Sequence, residues 1–561
     1  MAKKPSQKQN FLQGAALLTI AVAIVKVIGA VYKIPLQRIL GGVGFSYFNT
    51  AYSIYTLLLT IATAGLPVAM SRLISQAHSL GQHNRVRQIY KVARSMYLGL
   101  GLVCTLVMAI FCRQLAETMK ESGAWITILC LSPCALLMGF LSSYRGFFQG
   151  QGNMAPTSVS QVLEAVCKLV VGLVTAYVLK ALTQSVAWAA GGAIIGVTAS
   201  CVLSALYLNR RFRPVYRELE VSAEEVESFQ RTAGKLLAVA IPITIGSAGM
   251  QLLNVVEIGV YKGNIQHLLE TGRYQQDLVP ILREEVQQLK DYTVEREFEL
   301  MSSSIKGIYD FCYTVFNMPC SLIIPINTSL LPAITASLTL GDNKGVKSTE
   351  ESAARVTGLL AAPCAIGLGV LGFPVIGLLA GNYGAEKMAL AGPMMTIMGL
   401  SVFFYAIAMF TNVLLQAHGK INIPVINTLL CGGVKLVAMY FVTQNPAVGI
   451  LGVPLLSVMC YLGITVLNII CLRRSATEKP KLVSSLLRSV LPAALMGVAV
   501  YGCYWAMQNW AGITSNAVLC AGPIAVGVLV YVVLVVWTKA ITREDCMLLP
   551  KGEKVAKFLK L

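Results

Sequence analysis

Ionisable side chains recur inside apolar stretches that are long enough to cross a membrane. The first stretch holds Lys26 and Lys33, which are two helical turns apart and therefore share one helix face. The eighth stretch holds Lys306 and Asp310, again at helical spacing. A charged group inside a membrane is energetically costly, so each of these residues predicts a functional site by default.

Other apolar stretches carry polar groups of the same kind. The fifth holds Glu164 and Lys168, whose i,i+4 spacing predicts a structural or gating ion pair. Glu257 at the end of the seventh and Lys435 in the eleventh are assigned to the same gating or ion-pair class. Asn49 in the second belongs to a stripe of small polar residues, which would either line a cavity or join neighbouring helices.

Together these groups predict a cavity with an excess of positive charge. Lysine ammonium groups hold phosphate as point charges, so such a cavity suits an anionic substrate. Each group also has a simpler explanation. Lys33 could reach the membrane surface, and Lys306 and Asp310 could neutralise each other. Arg72 and Arg145 could serve only to fix the topology.

The composition indicates an all-α integral membrane protein. The chain has 561 residues, of which 56% are hydrophobic and only 13% are charged. Apolar stretches of about 20 residues match a hydrocarbon core of ~30 Å. We predict fourteen transmembrane helices, near residues 11–33, 46–70, 91–112, 124–146, 157–180, 185–208, 235–259, 303–336, 353–379, 389–416, 422–442, 449–472, 486–507 and 516–538.

The net charge of +19 follows from basic loops that would all lie on one side of the membrane. This arrangement predicts a multi-pass protein of the bacterial cytoplasmic membrane with both termini in the cytoplasm. The basic loops would contact anionic membrane lipids rather than nucleic acid. The fifteen cysteines are scattered, with no spacing of a metal site, and we expect neither a metal nor a cofactor.

An internal duplication organises the chain. Residues 149–152 and Pro156 correspond to residues 416–419 and Pro424, at an offset of 267 or 268 residues. Each copy would contain six crossings, so the two copies should be parallel repeats, an arrangement found in transporters built around a central cavity.

We therefore predict three regions. Residues 1–225 form an N-terminal six-helix lobe and residues 226–475 a C-terminal six-helix lobe, and residues 476–561 add two further helices and a basic tail. An acidic insertion at 261–302 interrupts the second lobe, and we expect it to be solvated, with a charged helix over 276–300.

Two motifs resemble those of the polysaccharide-biosynthesis exporters of Gram-positive bacteria, in the stage V sporulation protein B and lipid II flippase group. That group belongs to the multidrug/oligosaccharidyl-lipid/polysaccharide exporter superfamily. The motifs are Thr63-Ala64-Gly65-Leu66-Pro67-Val68-Ala69-Met70-Ser71-Arg72, and Tyr144-Arg145-Gly146-Phe147-Phe148-Gln149-Gly150 with Gly152, Pro156-Thr157, Ser160-Gln161 and Glu164 after it.

The resemblance implies a fourteen-helix fold with a cavity that opens alternately to each side of the membrane. It implies an undecaprenyl-diphosphate-linked sugar as substrate, most simply the peptidoglycan precursor lipid II. Basic residues that grip the diphosphate in this family correspond here to Lys26, Lys33, Arg72 and Lys306. Nothing in the chain resembles an ATP-binding loop, so ions, the membrane potential or a substrate gradient would supply the drive, and the coupling ion stays open.

Alternatives from other classes remain. A cation-coupled multidrug antiporter of the same superfamily would use acidic groups such as Glu164, Glu257 and Asp310. A membrane glycosyltransferase or polymerase would need a positioned acid or base in a loop facing the membrane surface, and the insertion at 261–302 is the candidate for that loop. A non-transporting scaffold is the third alternative.

Overall fold

The structure, a computed structural model, consists of helices joined by short turns, with no strand among the described residues. It describes residues 11–219, 227–275, 277–329, 334–335, 338, 343–381, 383–475, 479–542 and 545. The α-helices are α1 Phe11–Thr63, α2 Leu66–Ser79, α3 His83–Ile110, α4 Cys112–Thr118, α5 Trp125–Gly150, α6 Ala155–Thr183, α7 Val186–Glu218, α8 Phe229–Glu270, α9 Val279–Gln287, α10 Glu297–Ser329, α11 Asn343–Val370, α12 Gly372–Ala380, α13 Ala385–Ala417, α14 Asn422–Val442, α15 Gly452–Ser475, α16 Leu482–Leu487, α17 Val490–Asn509 and α18 Asn516–Trp537.

Twelve helical segments in the described part of the chain are long and apolar enough to cross a membrane. The first of them runs from Ile20 to Ser79, and it contains two of the predicted spans. Helix α1 alone has 53 residues, which at 1.5 Å per residue is about 80 Å, enough for two crossings. The all-α membrane fold is confirmed, and the count of fourteen crossings stays a prediction.

The first two predicted spans are two helical segments that meet at a sharp bend within α1. The sequence predicts a break over residues 34–45, and the first segment continues through Pro35 to Gly41, whose φ of 67° and ψ of −174° are not helical. Only glycine adopts these angles without strain. The bend divides α1 into a segment that carries Lys26 and a segment that carries Ser46, and each segment contributes to a different charged region.

The described residues form two compact units. The first contains residues up to Gln266 together with Leu282–Gly307, and the second contains His267–Ile281 and the residues from Ile308 onward. The three predicted regions, with a boundary at 225, stay a prediction.

Aromatic packing forms much of the core of the first unit. Tyr90 lies 4.6 Å from Phe212, ring centroid to centroid, and Phe147 lies 4.9 Å from Phe212. Phe147 belongs to the motif that begins at Tyr144, so this motif contributes side chains to the helix packing as well as to the pocket described below. Buried aromatic pairs at these distances contribute beyond the area that they remove from solvent.

A buried ion pair joins α11 to Asp545 in the second unit. Arg355 on α11 lies 2.9 Å from Asp545, Nη2 to Oδ1, and its Nε donates to both carboxylate oxygens at 3.0 Å. Asp545 is fully buried. A buried carboxylate needs such a partner, because losing it would leave an uncompensated charge.

The two duplicated motifs adopt the same turn, each within its own unit. Gly152 has φ 76° and its N–H donates to Gln149 O at 3.0 Å, while Gly419 has φ 74° and its N–H donates to Gln416 O at 3.0 Å. Both glycines end a helix in the left-handed conformation that favours glycine. The sequence repeat therefore corresponds to repeated local structure.

The motif that begins at Thr63 lies at a close approach between helices of the first unit. A Cβ on Gly65 would lie only 2.1 Å from the Ala240 carbonyl oxygen, so α8 touches the junction of α1 and α2 directly. The Gly65 N–H donates to Thr244 Oγ1 at 3.2 Å. The motif thus specifies packing at this junction.

Residues 261–302, predicted to form a solvated insertion, include both exposed and buried residues. Helix α8 continues to Glu270, and the expected helix over 276–300 is instead α9, a turn and the start of α10. Side chains from this stretch pack into the first unit, since Asp291 accepts from Ser185 Oγ at 2.8 Å and Glu299 accepts from the Ser122 N–H at 2.7 Å. Some of its acidic residues thus bind helix and loop partners, which hydropathy alone does not reveal, whereas Asp277, Glu284 and Glu295 are exposed.

Candidate functional site

A cavity of about 250 Å³ in the first unit collects several of the predicted site residues. Helices α1, α5 and α6 form it. We call it the cationic pocket, and it is lined by Val22, Val25, Lys26, Gly29, Tyr32, Arg145, Gln161, Glu164, Ala165 and Lys168. Three cations face one carboxylate within it, so its net charge is positive.

Helical periodicity explains why these residues meet. On α1, Lys26, Gly29 and Tyr32 recur every three residues, and on α6 Gln161, Glu164 and Lys168 follow the same periodicity. Residues at such spacing lie on one face of a helix. Two polar faces therefore line the pocket together.

Close packing between α6 and α7 holds one wall in place. A Cβ on Gly196 would lie 2.3 Å from the Gly172 backbone, so the two helices require glycine at this crossing. Tyr32 Oη donates to the Ala193 carbonyl oxygen on α7 at 3.3 Å, which orients its ring. The pocket is thus built on rigid helices rather than on loops.

Glu164 pairs with Arg145, and the predicted ion pair of Glu164 with Lys168 is wrong. Arg145 Nη2 lies 2.9 Å from Glu164 Oε2, and Arg145 Nε donates to Ser160 Oγ at 3.1 Å. The side chains are 12% and 26% exposed. The guanidinium reaches Glu164 from α5, so an interhelical contact replaces the i,i+4 contact within α6.

Lys168 is held instead by tyrosines. Its Nζ donates to Tyr52 Oη at 2.9 Å and lies 4.8 Å and 5.3 Å from the ring centroids of Tyr52 and Tyr32. An ammonium group over aromatic rings is attracted by the negative electrostatic potential of the ring faces. Lys168 therefore lies on the wall of the pocket without an acidic partner in contact.

Two groups in the cationic pocket keep hydrogen-bonding capacity for a ligand. Lys26 is exposed, and its ammonium makes no hydrogen bond or ion pair with the described residues. Gln161 Oε1 is buried and accepts no hydrogen bond from any described residue. Buried polar atoms are nearly always satisfied, so an unsatisfied one in a pocket marks a place for a ligand or water.

A second charged region in the same unit is fully enclosed. We call it the sealed cluster, and it consists of Glu121, Lys262, Lys306, Ser46 and Ser303, each with 0% exposure. Lys262 Nζ lies 2.8 Å from Glu121 Oε1 and donates to Ser303 Oγ at 2.8 Å and to the Lys120 carbonyl oxygen. Since an ammonium has three donors, Lys262 is fully satisfied.

The remaining members close the cluster around α1 and α10. Ser46 Oγ donates to Glu121, and the Ser46 carbonyl oxygen is 3.5 Å from Lys306 Nζ. A Cβ on Gly307 would lie 2.0 Å from the Gly42 carbonyl oxygen, so the two helices are in backbone contact beside the cluster. Lys306, predicted to bind substrate, is inaccessible in this conformation.

An adjacent network caps the sealed cluster. Glu299 accepts from Ser122 Oγ at 2.8 Å and lies 3.2 Å from Arg296 Nη2. Arg296 Nη2 also donates to Tyr47 Oη at 3.2 Å. These contacts tie the start of α10 to the loop before α5 and to the second segment of α1.

The other predicted residues of the first unit lie apart from the cationic pocket's lining. Lys33 Nζ donates to Asn49 Oδ1 at 3.0 Å, and Asn49 Nδ2 donates to the Phe45 carbonyl oxygen at 2.9 Å. Arg72 is exposed on α2, and Glu257 is half-buried on α8. The lysine and the asparagine thus form a link across the bend of α1.

Two predicted residues belong to the second unit. Asp310 is half-buried on α10, and Lys435 is half-buried on α14. Neither lines the cationic pocket, so the structure brings together only Lys26, Glu164 and Lys168 of the ten predicted residues there.

Sequence reasoning missed several residues that shape these regions. Arg145 was assigned to topology because it lies near a predicted span end, although its motif includes Glu164 at a spacing of 19 residues. Lys262 fell outside the predicted span 235–259, whereas α8 runs on to Glu270. An aromatic stripe at helical spacing, with Tyr52 and Tyr55, was the signal available for the tyrosine partner of Lys168.

The comparisons with known proteins place the chain among membrane exporters. The family model described as polysaccharide biosynthesis protein matches residues 11–338, and the model described as lipid II flippase MurJ matches residues 281–520. The chain is 25% identical over 521 residues to lipid II flippase MurJ of Bacillus subtilis (strain 168), covering 89% of each chain. It is 24% identical over 550 residues to stage V sporulation protein B of the same organism, covering 97% of this chain and 98% of the relative.

A solved structure shows the same fold. The inward closed conformation of lipid II flippase MurJ matches with a TM-score of 0.65 and 14% sequence identity, over 93% of this chain and 99% of that one. The family match covers more than half of the chain and agrees with the two sequence motifs. The chain belongs to the polysaccharide biosynthesis protein family, in the flippase group of membrane transporters rather than among enzymes.

Proposed function

We propose that this protein moves an undecaprenyl-diphosphate-linked oligosaccharide, with lipid II as the first candidate, from the inner to the outer leaflet of a bacterial cytoplasmic membrane. The observation that carries the proposal is the cationic pocket, where Lys26, Arg145 and Lys168 face a single carboxylate. A diphosphate is a compact dianion, and ammonium and guanidinium groups bind it by charge-assisted hydrogen bonds. No bond is made or broken in this process.

Each pocket residue has a distinct part in holding the headgroup. Lys26 supplies an ammonium that the described residues leave without a partner, and Gln161 Oε1 accepts from a sugar hydroxyl. Lys168 contributes charge from between two tyrosine rings. Arg145 is held by its ion pair with Glu164. It therefore contributes positive electrostatic potential to the pocket more than a direct contact with the headgroup.

The sealed cluster serves as the closed side of the transport pathway in this conformation. Its lysines are enclosed, whereas Lys26 is exposed. Alternating access requires that one side of a carrier close while the other opens. We propose that the cluster separates when the protein changes state, so that Lys306 then meets the diphosphate.

Binding to purified protein tests the proposal. Native mass spectrometry in detergent would measure the affinity for an undecaprenyl-diphosphate-linked disaccharide. Lys26→Gln and Lys168→Gln should each weaken it by roughly ten-fold, since a charge-assisted hydrogen bond contributes about 1.5–3 kcal/mol. Lys420→Gln is the matched control, because Lys420 is exposed in the second copy of the duplicated turn.

The same experiment separates this function from drug export. A multidrug antiporter would bind an organic cation through Glu164, and Glu164→Gln would abolish that binding. Retention of lipid binding by both lysine variants, together with binding of an organic cation by the wild type, would contradict the flippase.

We also propose that both termini lie in the cytoplasm, because the basic loops then share one side. Reporter proteins fused at residue 561 and in the turn at Lys420 test this orientation. A cytoplasmic signal from both positions is expected, and a signal from outside the cell at residue 561 would overturn it.

A further inference from the structure

One cavity in the second unit is basic and lies at one membrane boundary. Its volume is about 860 Å³. The end of α15, the short helix α16, the start of α17 and the end of α18 surround it. Because three candidate membrane spans begin or end here, the cavity lies where lipid headgroups are.

Four cations line this basic cavity, and none of the described lining residues is acidic. They are Arg473, Lys481, Arg488 and Lys539, all exposed. None of them forms an ion pair with a carboxylate among the described residues. Four like charges in one cavity repel each other, and an anion would relieve that repulsion.

The acidic groups described nearby are already engaged. Glu351 Oε1 accepts from the Lys481 backbone N–H at 2.9 Å. Asp545 is bound by Arg355, and its Oδ2 also accepts from the Thr542 N–H at 2.8 Å. Neither carboxylate lines the basic cavity.

Apart from Ser484 and Thr538, the other residues described along the wall are apolar. Val483, Leu487 and Leu491 line the cavity and are 43%, 55% and 61% exposed. Trp537 at the end of α18 is 76% exposed, as is common for tryptophan at a membrane–water interface. Cationic side chains beside apolar side chains favour an amphiphile with an anionic headgroup over a free, fully hydrated ion.

A narrower apolar groove continues from the cavity. Ala540 lines the cavity, and Ile541 lines a groove of about 150 Å³ together with Leu359 and Val535. Tyr531 also lines this groove, and its hydroxyl donates to the Leu359 carbonyl oxygen at 2.8 Å, so it needs no other partner. Apart from Tyr531, the residues described along this groove are aliphatic, so the groove suits hydrocarbon.

We propose that the basic cavity binds the phosphate headgroup of an anionic glycerophospholipid, with an acyl chain along the apolar wall. Basic pockets between helix ends on the cytoplasmic side of membrane proteins hold anionic headgroups in this way. The proposal is independent of the transport function, because the cavity shares no residue with the cationic pocket.

Native mass spectrometry of the full chain in detergent tests it, with phosphatidylglycerol and phosphatidylcholine of identical acyl chains as probes. The wild type should retain one phosphatidylglycerol in preference to phosphatidylcholine. Each basic residue near a membrane surface is worth about 1 kcal/mol, so Arg473→Gln with Arg488→Gln should lose roughly 30-fold in affinity. The variant with lysine at both positions keeps the charges and should retain binding.

Arg210→Gln with Arg213→Gln is the matched control, since both arginines are exposed at the end of α7 in the first unit. An equal loss in this control would show that diffuse surface charge binds the lipid and would overturn the proposal. Equal retention of phosphatidylcholine would overturn it as well. Displacement of phosphatidylglycerol by equimolar undecaprenyl phosphate would assign the cavity to the isoprenoid lipid instead.

Discussion

The cationic pocket and the sealed cluster are built from the same residue types in the same unit, but their donors are used differently. In the sealed cluster, Lys262 donates with all three of its N–H groups, to Glu121, Ser303 and a backbone carbonyl oxygen. In the cationic pocket, Lys26 is exposed and donates no hydrogen bond to the described residues.

Lysines in this unit therefore have two different roles, which depend on whether their N–H donors already have partners. A lysine with every donor satisfied inside the protein stabilises a closed contact, and removing its partner is costly. A lysine with free donors in a pocket of net positive charge is available to an anion. Helix α1 carries both kinds of surface, since its bend at Gly41 separates the segment with Lys26 from the segment with Ser46.

Breaking the sealed cluster should produce the largest effect on stability. Glu121→Ala leaves Lys262 buried without a counter-charge, and we expect a loss of about 3–5 kcal/mol in the free energy of unfolding. Denaturant titration in detergent micelles would measure it. Glu121→Gln combined with Lys262→Met removes both charges and should recover most of the loss. A loss below about 1 kcal/mol in the single variant would contradict the enclosed ion pair.

Forcing α1 and α10 apart should have the next largest effect. In Gly307→Ala the new methyl group would overlap the Gly42 carbonyl oxygen, and such overpacking costs about 1–3 kcal/mol. Hydrogen exchange of residues 300–306 should become faster. Gly234→Ala is the control, because nothing lies within 4 Å of the added Cβ there. Unchanged exchange in Gly307→Ala would mean that this contact does not close the cluster.

The sequence predicted one of these two regions far better than the other. Lys26, Glu164 and Lys168 could be found because each lies within a clear apolar span, where a charge stands out. Lys306 was the one member of the sealed cluster among the predicted site residues, since Glu121 and Lys262 are separated by 141 positions and lie outside every predicted span. Periodicity shows which face of a helix a residue occupies, but it does not show which distant helix meets that face.

The partner of Glu164 illustrates the same limit. The i,i+4 rule proposed Lys168 on the same helix, and the structure supplies Arg145 from α5 instead. A guanidinium can reach across a helix pair and also bind Ser160, which makes it the better partner. Local spacing therefore identified the carboxylate correctly and its partner incorrectly.

Neutralising Glu164 should raise the affinity for the lipid, whereas neutralising Lys26 or Lys168 should lower it. Glu164→Gln removes the one carboxylate among the described residues that line the cationic pocket, and it releases Arg145. We expect the affinity for the diphosphate-linked lipid to rise by roughly three- to ten-fold, because the pocket gains net positive charge. Glu227→Gln is the control for loss of a carboxylate outside the pocket. Weaker lipid binding by Glu164→Gln would show that the carboxylate itself contacts the substrate.

The smallest effect is expected at a solvent-exposed ion pair. The Lys235 ammonium, 2.5 Å from Glu227, lowers the pKa of that carboxyl by hydrogen bonding, with Arg85 adding to the effect. A lowered pKa in the folded state stabilises the protein above the ordinary carboxyl pKa, and this contribution is lost as the pH falls through the folded-state value. Screening limits it to about 1 kcal/mol or less.

Thermal unfolding of the wild type and of Glu227→Gln at a series of pH values measures this contribution. The difference between them should be small at neutral pH and should vanish in acid. A difference as large as that of Glu121→Ala would remove the distinction between exposed and enclosed charges.

Photo-crosslinking from two positions on α1 tests whether the cationic pocket, rather than the sealed cluster, binds the headgroup. Benzoylphenylalanine would replace Tyr32, which lines the cationic pocket, or Tyr47, which contacts Arg296 beside the sealed cluster. A radiolabelled undecaprenyl-diphosphate-linked disaccharide should crosslink at position 32 with much the higher yield, and unlabelled lipid should compete. A crosslinking yield at position 47 that equals or exceeds the yield at position 32 would contradict the assignment of the pocket as the headgroup site.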